Sequence, residues 1–287
     1  MSVEYRELGR TGWKVPVLGQ GTWGIGGFYS RDDSKDAEAI AALRLGIELG
    51  MTLIDTAEAY GAGHSEEVVG RAIAGLKTEV FVATKVSPEH LSYESVISSA
   101  KASLKRLNVK TIDLYQVHWP NPRIPIKETM RAMERLVKEG LVRFIGVSNF
   151  SVSEMEEAMA SLAREEIVSN QVEYSLLERS IERDLLPFCE REKITVIAYS
   201  PLARGKLSKP DKYLEKREAD VLQALADKYG KTPSQIALNW VVRRPSVIAI
   251  PKAVRLEHVK ENAGSVGWLM DSDEYEVLSR VFSRSYW

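Results

Sequence analysis

Cysteine is almost missing from this chain: Cys189 is alone among 287 residues. A lone thiol excludes an internal disulfide framework. Histidine is scarce as well, four residues scattered without a neighbouring Cys or His, so no metal site is expected. Net charge is missing too. Lys and Arg number 39 against 40 Asp and Glu, a balance of −1, which excludes the basic surface of a nucleic-acid binder and the charge excess of a disordered chain. No run of about 18 apolar residues occurs, and the N-terminal stretch carries Glu4, Arg6, Glu7, Arg10 and Lys14 where a signal peptide would be apolar. The expectation is a soluble protein of a reducing cytoplasm, with neither nucleic acid nor membrane as a partner.

Apolar residues are plentiful, 44% of the chain, and a length of 287 is enough to bury a large core. Short Val- and Ile-rich runs alternate with segments of helical period, the pattern of βα units around a parallel sheet. Candidate strands are 16–21, 52–56, 80–85, 112–118, 142–148, 168–174, 194–200 and 247–252. Candidate helices include 35–49, Tyr93–Leu107 and 126–139, with Gly50 and Gly140 as stops. Ser151-Val-Ser-Glu154 and Thr232-Pro-Ser-Gln235 read as capping boxes. Eight units of about 36 residues suit one (β/α)8 barrel better than two doubly wound domains, and no linker is visible. The whole chain, 1–287, therefore reads as a single α/β barrel domain. It carries an N-terminal β-hairpin around Arg10-Thr-Gly12 and an extra C-terminal helix over 271–282.

Each apolar run ends on a polar residue that a structural strand does not require: Asp55, Lys85, His118, Ser148 with Asn149, Gln171, Tyr199 and Lys252. In a barrel these ends open on one face. Any one of them alone also fits an ordinary strand terminus meeting a polar loop. Asp55 and Lys85 can pair across neighbouring strands, which keeps the ammonium charged. Tyr60, in the loop after Asp55, is near enough to receive it. Its ordinary pKa is about 10, and an adjacent cation is expected to lower it, making a general acid. His118 can hydrogen-bond a substrate oxygen or pass a proton to Tyr60. The competing structural reading is a rim ion pair beneath an unrelated aromatic cap. A proton donor without a recognisable Ser or Cys nucleophile or a metal cluster points to a cofactor that supplies the other half of the reaction, hydride transfer being the natural candidate. Gly19-Gln-Gly21-Thr-Trp-Gly24 matches G-x-G-x-x-G in letters only. The next helical period starts near Lys35, so a flexible rim loop is expected there and not a Rossmann turn.

Seven motifs carry a resemblance: Asp55-Thr-Ala-Glu-Ala-Tyr60-Gly, Thr84-Lys85, Ile112-Asp-Leu-Tyr-Gln-Val-His118-Trp-Pro, Ile145-Gly-Val-Ser148-Asn149-Phe, Asn170-Gln171-Val-Glu-Tyr174, Ala198-Tyr199-Ser-Pro-Leu202 and Ile250-Pro-Lys252. Over essentially its whole length the chain resembles the aldo-keto reductase family. The resemblance implies a barrel that binds extended NADPH and reduces aldehydes or ketones, with Asp55, Tyr60, Lys85 and His118 as the catalytic tetrad. Tyr60 would protonate the carbonyl oxygen, Lys85 and Asp55 would tune it, and His118 would orient the substrate. Ser148, Asn149 and Gln171 match the family's carboxamide contacts, and Tyr199 its stacking aromatic. Ser200, Leu202, Gly205 and Lys206 lie where the family wraps the pyrophosphate, and Asp55 where it touches the nicotinamide ribose.

Gly21, Thr22, Trp23, Ile250, Ala253 and Val254 complete the implied cofactor set, with Glu261 and Asn262 toward adenine. NADPH-preferring members commonly have Lys-Ser and an Arg six residues after the Lys. Here Lys252 is followed by Ala253, and His258 stands at the Arg position. With Arg255 as the substitute guanidinium NADPH is favoured, and NADH is the alternative. The substrate pocket is expected from Trp23, Tyr29, Tyr60, His118 and Trp119. Trp23, Trp119 and Trp287 fall in loops or at the terminus. A short tail implies an open, promiscuous pocket in a monomer or weak oligomer. Two rivals stand beside this reading: a nucleotide-binding regulatory subunit of the same fold with little turnover, and a barrel glycosidase using Asp55 and Glu173.

Overall fold

Side chains at every second position of a strand share a face, so eight short strands closing on themselves enclose one set and turn the other toward the helices. The computed structural model describes residues 4–283, and Trp287 lies outside them. A hairpin comes first, β1 (Tyr5–Glu7) antiparallel to β2 (Lys14–Pro16). The parallel barrel follows in chain order: β3 (Gln20–Gly21), β4 (Leu53–Asp55), β5 (Phe81–Val86), β6 (Ile112–Val117), β7 (Val142–Ser148), β8 (Ile167–Glu173), β9 (Thr195–Tyr199) and β10 (Val247–Ala249). Closure is made by the parallel bridge of Leu18 to Ala249, with Gly19 N donating to Ala249 O at 2.8 Å.

Around it lie α1 (Asp36–Glu48), α2 (His64–Ile73), α3 (Tyr93–Leu107), α4 (Ile126–Lys138), α5 (Val152–Ser161) and α6 (Leu185–Glu192). Three helices, α7 (Pro210–Tyr213), α8 (Lys216–Tyr229) and α9 (Pro233–Val242), join β9 to β10. They are followed by α10 (Leu256–Ala263) and the extra helix α11 (Ser272–Val281). Both capping boxes form, at Ser151 with Glu154 and at Thr232 with Gln235. Among the described residues no helix is long and apolar enough to cross a membrane.

Two strand boundaries differ from expectation by more than one residue. The run 16–21 splits, because Pro16 closes the hairpin, Val17 N still donates to Glu4 O at 3.0 Å, and only Gln20–Gly21 pairs with β4. The run 247–252 leaves the ladder at Ala249, since Pro251 has no N–H to give.

Leu53, Phe81, Ala83, Leu114, Ile197, Ile248 and Ile250 fill the barrel interior, and Leu8, Val15 and Trp13 plug its N-terminal end from the hairpin. The Arg143 guanidinium lies 4.2 Å from the Trp13 ring and pins the plug. At the other end the inward positions turn polar, with Asp55 two residues beyond Leu53, Lys85 beyond Ala83 and Gln116 beyond Leu114. That boundary is the floor of the site.

Candidate active site

Asp55 and Lys85 sit at the C-terminal ends of β4 and β5, 2% and 0% exposed. The register pairs Asp55 with Ala83, so Lys85 lies two residues further along the same face and its chain reaches back across the strand gap. Its Nζ donates to Asp55 Oδ1 at 2.5 Å, to Thr56 O at 2.9 Å and to Tyr60 Oη at 3.2 Å. Three N–H groups meet three acceptors, which fully satisfies an ammonium taken out of water. Asp55 Oδ2 accepts from Gln171 Nε2 at 2.7 Å and Gln116 Nε2 at 3.2 Å.

The Tyr60 hydroxyl accepts from Lys85, and among the described residues its own proton has no protein acceptor. The ring lies edge-on to Trp23, centroids 4.9 Å apart, and to His118, 5.6 Å apart. Local backbone aims it. Gly61, Ala62 and Gly63 are all left-handed and reverse the chain straight into α2. A Cβ on Gly61 would lie 2.1 Å from Gly26 O, and Gly61 N donates to Phe28 O at 2.9 Å. Only glycine lets the loop carrying Trp23 close onto the Tyr60 turn.

Electrostatics correct two expectations. Burial raises the Tyr60 hydroxyl above its ordinary value, and the charge and hydrogen bond of Lys85 offset this only in part, so the net direction is up and not down. The phenol holds its proton across the working pH range. Burial, then the charge of Lys85, pushes His118 from 6.5 down to about 3, so it is a neutral imidazole that can donate a hydrogen bond but has no extra proton to pass to Tyr60. Burial alone would lower Lys85, yet Asp55 and Tyr60 outweigh it and hold the ammonium above its ordinary value.

His118 has a consequence for stability. A histidine held below its unfolded value leaves the unfolded state binding more protons, so stability falls as pH drops from 6.5 toward about 3. Between pH 7 and 5 wild type should lose about 1 kcal/mol that His118→Gln does not, after allowing for partial exposure. Urea midpoints of both proteins at the two pH values check this, and equal acid losses would contradict it.

The strand ends after Tyr60 assemble a second polar group. Ser148 Oγ donates to Gln171 O at 2.8 Å, and Asn149 Nδ2 donates to Ser148 Oγ at 3.0 Å and His118 O at 3.1 Å. Tyr199 Oη donates to Asn149 Oδ1 at 3.0 Å, and burial pushes that phenol up to about 12, keeping it neutral. Asn149, Ser200, Ala203 and Arg204 all have left-handed backbone, the last three within the 200–206 segment, which also holds Leu202, Gly205 and the exposed Lys206. Lys252 and Arg255 are exposed and have no carboxylate partner among the described residues. Desolvation, then Lys35 ahead of α1, holds the Lys252 ammonium below its ordinary value.

Other candidates are tied into the framework. Thr22 is fully buried with its hydroxyl accepting from Ser65 at 2.9 Å, and Glu261 accepts from Thr232 Oγ1 at 2.6 Å. Ile250 is in the interior cluster, Gly21 closes on Ile250 O, and Asn262 is buried. Ala253 and Val254 pack on the outer core, and His258 is exposed.

Trp23, Tyr29 and Trp119 form an exposed rim, joined by Phe28, which sequence reasoning passed over. Phe28 and Tyr29 each lie 5.4 Å from Trp23, edge-on. An ion-pair net fastens this loop to α2: His64 Nδ1 meets Glu67 at 2.8 Å and Nε2 meets Asp36 at 3.0 Å, while Arg31 joins Asp33 to Glu67 and Arg71 pairs with Asp36. Asp33, Asp36 and His64 converge closely enough for a cation, but Arg31 and Arg71 already neutralise the carboxylates. Gln116 was also overlooked. Its place two residues before His118 on β6, on the inward face, was a readable signal.

The two carboxylates of the glycosidase reading are both paired, Asp55 with Lys85 and Glu173 with Arg204 at 3.7 Å. Comparison with known proteins agrees with the reductase geometry. The profile of the Aldo/keto reductase family matches residues 17–281. Methylglyoxal reductase YeaE of Escherichia coli (strain K12) is 40% identical over 269 residues, spanning 93% of this chain and 91% of that protein. A thermostable aldo-keto reductase, Tm1743, solved with the inhibitor epalrestat, is 44% identical with a TM-score of 0.91, over 97% of this chain and 99% of that one. An aldo/keto reductase from Klebsiella pneumoniae, solved with NADP and acetate, is 38% identical with a TM-score of 0.88, over 98% and 96% of the two chains. With a barrel of this topology and a family match over nearly its whole length, the chain belongs to the aldo/keto reductase family and is an NAD(P)H-dependent oxidoreductase.

Proposed function

We propose that this protein reduces aldehydes and ketones to alcohols with NADPH, Tyr60 acting as the general acid. The observation that carries the reading is the Tyr60 hydroxyl, which accepts from Lys85 and keeps its own proton unspent, beneath a rim of aromatic side chains. The residues present suit a nicotinamide nucleotide. Gln171 Oε1 has no protein donor among the described residues, Ser148 and Asn149 end the adjoining strand, Tyr199 offers a half-buried ring, and Lys252 and Arg255 are exposed cations. When bound, the nucleotide supplies the hydride.

The chain's own residues do the rest. Neutral His118 donates to the carbonyl oxygen and orients it toward Tyr60. As negative charge develops on that oxygen, Tyr60 releases its proton to it, and Lys85, held by Asp55, stabilises the phenolate left behind. The aromatic rim sheds water from the mouth and has few groups that select among substrates, in keeping with a broad range of small carbonyl compounds. YeaE is named for methylglyoxal, which is such a compound.

Titration of tryptophan fluorescence with NADPH and NADH, followed by addition of an aromatic aldehyde, tests the proposal, because Trp23 touches Tyr60. Tight NADPH binding with oxidation on adding aldehyde is expected, and binding without turnover would favour a regulatory role. The 2′-phosphate assignment has its own check. Lys252→Met combined with Arg255→Met should weaken NADPH binding at least about tenfold and NADH binding less than about twofold, with the NADPH loss shrinking in high salt. Equal losses for both nucleotides would remove these residues from phosphate recognition.

A further inference from the structure

Two amides share one carboxylate oxygen in the floor of the site, and this settles which way each of them points. Asp55, paired with Lys85, only accepts hydrogen bonds, so the amide atoms 3.2 Å and 2.7 Å from its Oδ2 are the nitrogens of Gln116 and Gln171. The remaining N–H of Gln171 then meets Gln116 Oε1 at 3.3 Å, closing a three-membered ring of hydrogen bonds. Gln171 Oε1 is thereby turned away from Asp55, and among the described residues it has no donor. A bond to Asp55 alone would leave the Gln171 amide free to swing about that axis, whereas the second bond, to Gln116, fixes its plane. Gln116 itself is fully buried, and its room comes from β7: a Cβ on Gly146 would lie 2.9 Å from Gln116 Cγ.

We propose that Gln116 is a positioning residue: it fixes the plane of the Gln171 amide so that Oε1 is presented as an acceptor for the N–H of a carboxamide, and it ties that amide to the carboxylate that anchors Lys85. The inference rests on the proposed nicotinamide site and adds a determinant of which group on the ring is read. A carboxamide has N–H to give; an acetyl group in its place has none.

The test compares NADPH with its 3-acetylpyridine analogue by fluorescence titration of wild type, Gln116→Met and Gln116→Glu, with thermal melts to confirm folding. Wild type should bind the analogue about tenfold more weakly than NADPH, the effect of leaving one buried acceptor unpaired. Gln116→Met removes both bonds of Gln116, so the amide can turn and the preference should fall to about twofold. Gln116→Glu keeps an acceptor for Gln171 and should retain most of the preference, while turnover falls because a second carboxylate faces Asp55. A Met variant that discriminates as wild type does, or a Glu variant that loses discrimination as fully as Met, would overturn the proposal. A purely structural role would change melting temperature and both affinities together, leaving their ratio intact. Failure of the nicotinamide reading is distinguishable, since wild type would then bind neither nucleotide.

Discussion

Tyr60→Phe is expected to lower turnover of an aldehyde by at least about a hundredfold while NADPH affinity stays within about twofold. The substitution deletes one oxygen and leaves the ring, with its edge-on contacts to Trp23 and His118, in place. Two things are lost. The carbonyl oxygen no longer has a proton donor, and Lys85 loses the third of its three acceptors. The first acts on the transition state only, so kcat and kcat/KM should fall together. The second leaves a buried N–H unpaired and should lower stability by about 1–3 kcal/mol. Single-turnover kinetics with NADPH in excess, beside a denaturant melt, separate the two effects. A Phe variant with near-normal turnover would show that the proton comes from elsewhere.

Lys85→Met should have the largest effect on stability. It leaves the Asp55 carboxylate buried without its counter-ion, supported only by Gln116 and Gln171, and breaking a buried pair on one side costs about 3–5 kcal/mol. Turnover should also fall at least about a hundredfold, because the phenolate of Tyr60 would form with no cation beside it. The double variant Asp55→Asn with Lys85→Met removes both charges, so most of the stability should return while turnover stays low. A double variant as unstable as the single one would mean that packing around the lysine stem matters more than charge.

The pH dependence has a definite sign. Lys85 is held above its ordinary value, so what it contributes is fully present below the usual lysine range and is lost only as pH rises through the higher folded-state value. The gap between wild type and Lys85→Met should therefore stay constant up to the usual lysine range and close only above it, which urea midpoints from neutral to alkaline pH would read directly.

Much of the architecture was legible in local patterns. Short Val- and Ile-rich runs between segments of helical period located all eight barrel strands, and the boxes at Ser151 and Thr232 marked two helix starts at the observed residues. The strand boundaries near Pro16 and Pro251 were less legible, because whether an extended segment joins a ladder depends on the neighbouring strand. Helix α8 begins with a box built from Glu215 and Glu218, an acid at the cap where Ser or Thr is the familiar signal. In the site, Asp55, Lys85 and His118 stood out as polar ends of apolar runs. Gln116 did not, because it lies inside such a run, and Phe28 did not, although Tyr29 beside it did, because only the fold of the loop sets its ring edge-on against Trp23.

By itself the sequence determined the strand count, the shared face of Asp55 and Lys85, and the position of Tyr60 in the next loop, since short apolar runs and their polar ends are set within a few residues. Only the tertiary structure decided the protonation of that site. Tyr60 is raised and His118 lowered by burial beneath groups brought from other strands, and the sense of the Gln171 amide is set by Asp55, 116 positions away. Desolvation and hydrogen-bond direction are properties of what surrounds a side chain, and in a closed barrel those surroundings come from every strand at once.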